Sequence, residues 1–206
     1  MKDEKLSQGV TRRKFGKILA GAGVIAAAGA VSPSTLFAAQ EKKREFRPLR
    51  NTAEAMNERD TIAALHDGRF GILSTVNKEG FPVGTPISYV FKDGNIYIHT
   101  SKVPGEKMIN FTENPDVCFT IVNYAIPSTY KNTLGTLFKS VMVFGRVSLV
   151  EDPDEKKAVM TAISTKYLPT FTEDIEGYYK KLNKAMNAYC IKIDHMTGKE
   201  RGEKHY

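Results

Sequence analysis

The stretch Phe70-Gly71-Ile72-Leu73-Ser74-Thr75-Val76, Asn77-Lys78-Glu79-Gly80, Pro82 to Phe91, Asp93-Gly94 and Asn95-Ile96-Tyr97-Ile98-His99-Thr100 reads as three consecutive strands. Apolar and β-branched residues fill each run, and turn formers bound it. Asp93-Gly94 is the dipeptide of a tight two-residue hairpin. Downstream, Pro104-Gly105-Glu106-Lys107 opens a short helix that ends at Asn114-Pro115, and Val117 to Val122 is the next strand. Lys139 to Val150 is a long strand in which Gly145 marks a bulge or bend. Asp152-Pro153-Asp154-Glu155 combines a capping Asp, a Pro at the first helical position and a Glu three residues after the cap, so a helix runs from there to about Thr165. A second helical stretch, Ile175 to Met186, precedes a final strand from Tyr189 to Asp194. Upstream, Asn57 to His66 reads as a helix with Ile62 and Leu65 facing inward and Gly68 as its stop. Strands dominate and short helices interrupt them. The expected fold is mainly β within the α+β class, a split antiparallel β-barrel with peripheral helices.

The amino-terminal residues have a different character. Thr11-Arg12-Arg13-Lys14-Phe15-Gly16-Lys17 precedes an uncharged, Ala- and Gly-rich run from Ile18 to Val31 that is shorter than the ~20 residues needed to cross a bilayer. This is the pattern of a twin-arginine signal peptide, over residues 1–39, with a cut near Ala38-Ala39. The expectation is a periplasmic or otherwise exported protein with no stable membrane span after cleavage, handed over by the twin-arginine export machinery. Residues 40–56 form a charged leader containing Arg44, Arg47 and Pro48, and residues 57–206 form the single domain.

The whole chain carries a formal charge of +7, but residues 1–39 hold six basic and two acidic side chains, which leaves +3 for the remainder. That is an ordinary surface, and it gives no case for nucleic acid as a partner. Cys118 and Cys190 lie in apolar strand-like runs and read as buried free thiols, although an exported protein could oxidise them if their strands were neighbours. No Cys or His spacing suggests a metal site or covalent haem attachment.

The segment richest in chemistry is His99-Thr100-Ser101-Lys102-Val103-Pro104-Gly105-Glu106-Lys107. A strand ends in imidazole and hydroxyl groups, two lysines follow, and a helix begins. Free amides at a helix start beside a lysine suit a phosphate group. Of the other histidines, His66 reads as a dipole partner at a helix end, while His195 closes the last strand and His205 lies in the polar tail. Between Tyr124 and Leu137 a loop carries Tyr124, Pro127, Tyr130 and Leu134, and it reads either as a cover for a flat ligand or as part of a dimer interface.

Several short pieces occur in register: Gly71-Ile72-Leu73-Ser74-Thr75, Gly80-Phe81-Pro82, Pro86-Ile87-Ser88-Tyr89-Val90, Ile96-Tyr97-Ile98-His99, Gly105-Glu106-Lys107, Asn114-Pro115-Asp116-Val117-Cys118-Phe119, and Ser140-Val141 with Phe144-Gly145. In these the chain resembles the pyridoxamine phosphate oxidase-like split-barrel flavoproteins, and among them the nitroimidazole-resistance family. The resemblance implies an FMN-binding homodimer with the flavin at the subunit interface. It implies that Thr85, Pro86, Ile87 and Ser88 line the isoalloxazine edge, and that His99 and Thr100 approach the ring or the ribityl chain. It places Lys107 on the phosphate, with Lys102 as its possible substitute, and Ser140 against the flavin. His99 is also the candidate catalytic residue, as the match to the nitroimidazole-resistance histidine.

Departures from the oxidases narrow the activity. Glu106 stands where they carry a basic residue before the phosphate lysine, Gly84 and Thr85 replace their flavin-strand arginine, and the chain has no Trp. Pyridoxamine phosphate oxidation is therefore not expected. The implied function is an exported FMN-dependent oxidoreductase, nitroreductase-like, acting on nitroaromatic or other small flat organic molecules. Two alternatives are a haem-binding split barrel with His99 or His195 on the iron and a flavin-binding module without turnover. The sequence shows no motif for an electron donor.

Overall fold

Alternating burial along the strands closes the chain on itself. In the computed structural model, which describes residues 44–130, 133–170 and 175–202, six strands form an antiparallel barrel. They are β1 (Phe70–Val76), β2 (Pro82–Lys92), β3 (Asn95–Ser101), β4 (Asp116–Tyr130), β5 (Thr133–Leu149) and β6 (Met186–Arg201). Their order around the barrel is β1-β2-β3-β6-β5-β4. Four helices decorate it: α1 (Glu58–Asp67), α2 (Glu106–Glu113), α3 (Pro153–Tyr167) and α4 (Ile175–Ala185). The split antiparallel barrel expected from the sequence is the fold observed. The signal-peptide reading lies outside the described residues, and among those residues no helix is long and apolar enough to cross a membrane.

Inward-facing Leu73, Tyr89, Ile96, Ile98, Phe119, Ile121, Val141, Val143 and Ile191 fill the barrel, and Ala64 and Leu65 of α1 join the same cluster. The amphipathic helix therefore closes one end of the core rather than lying on the wall. Asn57 caps α1 by accepting from the Asp60 amide at 2.8 Å. Gly68 ends the helix as expected, but not through a left-handed conformation: its φ is −63°. A Cβ there would sit 2.4 Å from the Tyr89 hydroxyl, so close approach explains the glycine.

The β2–β3 turn is the expected tight hairpin, with positive φ at both Asp93 (50°) and Gly94 (75°). Gly145 coincides with the β5–β6 register shift, and a Cβ on it would lie 2.2 Å from the Lys192 carbonyl. Asp152 caps α3 by accepting from the Glu155 amide at 2.7 Å. Helix α3 covers the outer face of β2, β3 and β6, where Val159 and Ile163 pack with Tyr97, Val150 and Ala188.

Two expectations are corrected. The segment 124–137 is not a loop: β4 and β5 continue as a paired ribbon from Tyr124↔Lys139 to Tyr130↔Thr133, after a bulge between Val122 and Tyr124. Its Thr, Tyr and Ile residues suit a pleated surface, and Pro127 is tolerated opposite Thr136 because the ribbon has free edges. The last strand also runs past Asp194 to Arg201, which places His195 within β6 opposite Phe144. A bulge at the Phe144/Gly145 step carries the strand through its polar half.

The part of the leader that is described has an anchored course. Phe46 stacks on the His195 ring at 4.7 Å and 12°. Buried Glu54 pairs with Lys199 at 2.9 Å and with Arg201. Cys118 and Cys190 are free and partly buried, on β4 and β6 with β5 between them, so the barrel order keeps them from bonding to one another.

Candidate functional site

Strands β2 and β3 pair only from Tyr89↔Ile98 to Lys92↔Asn95, next to their turn. Beyond that point they part. Residues 82–88 of β2 follow β1, and residues 99–101 of β3 follow β6. Ser88 and His99 are the first residues on either side of the resulting fork.

The fork leaves one edge of β2 without a partner strand. The Tyr167 hydroxyl accepts from the Tyr89 amide at 3.0 Å and also lies against the Arg69 and Tyr89 carbonyls, so Tyr89 turns its backbone toward β1. Successive residues of a strand turn theirs to opposite sides, so Ser88 and Pro86 face the gap. A proline is tolerated there because it has no donor to contribute. Thr85 and Ile87 point inward, with Ile87 against the core.

Across the gap, His99 is half-buried and its Nδ1 is buried without a hydrogen-bond partner. Burial holds its pKa below the ordinary histidine value, so the ring is neutral near pH 7. Thr100 is turned inward and buried, and its hydroxyl donates to the Ser101 carbonyl at 3.0 Å and approaches the Met108 sulfur at 3.5 Å. This contact ties the end of β3 to α2.

Helix α2 starts at Gly105 with no side-chain cap. The Met108 and Ile109 amides bond to the Gly105 carbonyl, which leaves those of Glu106 and Lys107 without an acceptor among the described residues. Lys107 stands in this first turn, and neither it nor Lys102 forms an ion pair among the described residues. Lys102 has a basic neighbour. It lies near the buried Lys156 of α3, whose pKa is lowered by burial and then by the charge of Lys102. Lys156 donates to the Asn183 carbonyl at 3.3 Å. No local pattern marks this burial, because Lys156 falls in a charged helix start that reads as solvated.

Thr85, Pro86, Ile87, Ser88, His99, Thr100 and Lys107 thus flank one fork and the helix beyond it. Ser140 does not join them. It lies on the outer wall, in the row Ser88–Phe70–Val122–Ser140 that crosses β2, β1, β4 and β5. Three strand spacings put it about 14 Å from Ser88.

The model of the family described as pyridoxamine 5'-phosphate oxidase matches residues 57–200. Three solved structures share the fold. A candidate 5-nitroimidazole antibiotic resistance protein from Bacteroides thetaiotaomicron superposes with a TM-score of 0.60 at 19% identity, covering 70% of this chain and 85% of that one. The flavocytochrome Anf3 from Azotobacter vinelandii gives 0.63 at 21% identity, with 75% and 72% covered. The FAD and haem binding protein from Mycobacterium smegmatis gives 0.62 at 18%, with 72% and 74% covered. No curated protein matches the chain in sequence.

Proposed function

The chain belongs to the pyridoxamine 5'-phosphate oxidase family, and from that premise we propose that it is an exported flavin-binding oxidoreductase that works as a homodimer on small flat organic molecules, nitroaromatics among them. The observation that carries the reading is the fork. It sets an unpaired strand edge at Pro86 and Ser88, an unpartnered imidazole nitrogen at His99 and an uncapped helix start at Lys107 in one succession. A buried polar atom without a partner is costly, so the His99 Nδ1 fits a site completed by a ligand.

The flavin, when bound, supplies the electron-carrying chemistry. The protein's part is binding, orientation and exclusion of water. Lys107 and the free amides of Glu106 and Lys107 hold the phosphate. The backbone of Ser88 offers a donor and an acceptor to the edge of the ring system, Pro86 offers an acceptor, and Thr100 fixes the approach of α2 through Met108. His99, neutral near pH 7, meets the bound molecule without adding a charge.

The placement of Ser140 supports the dimer. Ser88 and Ser140 lie too far apart for one small ring, yet both belong to one outer face, so a second copy laid on that face supplies its own Ser140. Phe70 (61% exposed), Val122 (57%) and Met142 (42%) give that face its apolar character. Export rests on the Arg12-Arg13 segment and its apolar run.

An absorption spectrum of the mature protein, reconstituted in parallel with FMN and with haemin, tests the reading. Flavin bands that shift on binding support it. A Soret band with no flavin uptake sinks it and moves His99 and His195 to candidate iron ligands.

A further inference from the structure

The last turn of α3 carries a buried amine. The Lys166 Nζ has no hydrogen-bond partner among the described residues. It lies 4.1 Å from the centroid of the Tyr89 ring and 5.8 Å from that of Tyr167. Arg69, just ahead of β1, approaches the same Tyr167 ring at 5.7 Å. Asp67 at the end of α1 favours the charged amine, yet no hydrogen bond joins it to the Nζ. A ring face attracts a cation, but it does not replace the water or counter-ion that a buried ammonium loses. Burial first, and the Arg69 charge second, lower the Lys166 pKa to about 8, with Asp67 opposing them.

Tyr167 follows on the same turn and acts as a bolt. Its hydroxyl accepts from the Tyr89 amide at 3.0 Å, lies against the Tyr89 and Arg69 carbonyls and meets the Ser88 hydroxyl. Strands β1 and β2 pair from Phe70↔Ser88 onward, so the phenol closes the end of their ladder beside the residue whose backbone faces the fork. Lys166 and Tyr167 thus share one notch between α1, β1 and β2. The first brings a group that titrates and the second a group that fastens.

We propose that the end of α3 is a pH-sensitive latch on the fork. With the Lys166 amine uncharged, Tyr167 stays bolted and holds the Ser88 edge of β2. With the amine charged, the ammonium turns out to water, the bolt is drawn with it, and the edge is freed. The groups that face the amine are Asp67 from α1, Arg69 from the approach to β1, Tyr89 from β2 and Tyr167 beside it. Burial pushes both phenols up, so neither titrates before the amine. In the released state the amine returns to its ordinary 10.5, so closure is weakest below pH 8 and strengthens from there towards 10.5.

Hydrogen exchange of the Tyr89 amide, corrected for the intrinsic effect of pH, tests the latch in the mature protein at about pH 6.5 and about pH 9. Protection should rise severalfold between them, up to about the tenfold that the two pKa values imply. Lys166→Met and Lys166→Gln, which cannot titrate, should show no such rise, and Tyr167→Phe should weaken protection at both pH values. Unchanged protection in the parent, or a rise that survives both Lys166 variants, overturns the proposal. FMN titration reads the consequence for the fork, which rests on the flavin reading above: affinity in the parent, relative to Lys166→Met, should rise with protection. FMN affinity that ignores pH while protection follows it overturns the link to the fork. Failure of FMN to bind any of these proteins overturns the flavin reading, and the exchange result then decides the latch by itself.

Discussion

The Tyr89 hydroxyl donates to the Leu65 carbonyl at 2.6 Å, which fastens the last turn of α1 to the inside of the barrel. Gly68 lies against the same hydroxyl. Burial pushes the phenol pKa well up, so Tyr89 remains a donor across the working pH range.

Gly68→Ala should lower stability by about 2 kcal/mol through the clash of the new methyl with that hydroxyl. Tyr89→Phe should cost roughly 1–3 kcal/mol, because it leaves the Leu65 carbonyl buried and unpaired. The double variant should lose less than the two losses added, since removing the hydroxyl makes room for the methyl. Urea unfolding of the four proteins measures the coupling, and strict additivity would show that the two residues do not meet.

Lys107→Ala should weaken FMN by roughly 10- to 150-fold, the equivalent of one charge-assisted hydrogen bond at about 1.5–3 kcal/mol. Riboflavin, which has no phosphate, should lose little. Equal losses in parallel titrations would take Lys107 off the phosphate.

His99 has a folded pKa below its ordinary 6.5. The unfolded chain therefore binds a proton that the folded one resists, and the stability His99 contributes is present above pH 6.5 and lost as pH falls through the folded pKa. His99→Gln should flatten the decline in stability as pH falls below 6.5. Every other titrating group is common to the two proteins, so the difference belongs to His99. Superimposable stability profiles would show that its burial carries no energetic consequence.

Val122→Arg puts a charge at the centre of the exposed row that runs from Ser88 to Ser140. Under the proposed pairing, sedimentation should show a dimer for the parent and a monomer for the variant, and flavin affinity should fall with it, because each site would lose the second copy's Ser140. A monomer that keeps full flavin affinity would place the whole site within one chain.

The barrel was legible where local chemistry decides structure. Asp93-Gly94 can make only a few turns, and Asp152-Pro153 announces a helix start. Residues 124–130 were not legible, because their mixed polarity hides the alternation when neither face of a ribbon is buried. Most of the candidate site was also legible, since Ser88, His99 and Lys107 lie close along the chain. The separation of Ser140 was not, because it depends on the register across four strands, and no local pattern encodes that register.

The place of β6 between β3 and β5 sets an order of events. Until residues 186–201 are available, β3 and β5 each present a bare edge, and the ring of strands cannot close. Folding therefore waits for long-range pairing with residues 186–201, and the growing chain must be kept from pairing with its neighbours until they emerge. Such a chain is vulnerable before it is complete, and a truncation anywhere ahead of β6 would yield a sticky open sheet rather than a smaller barrel.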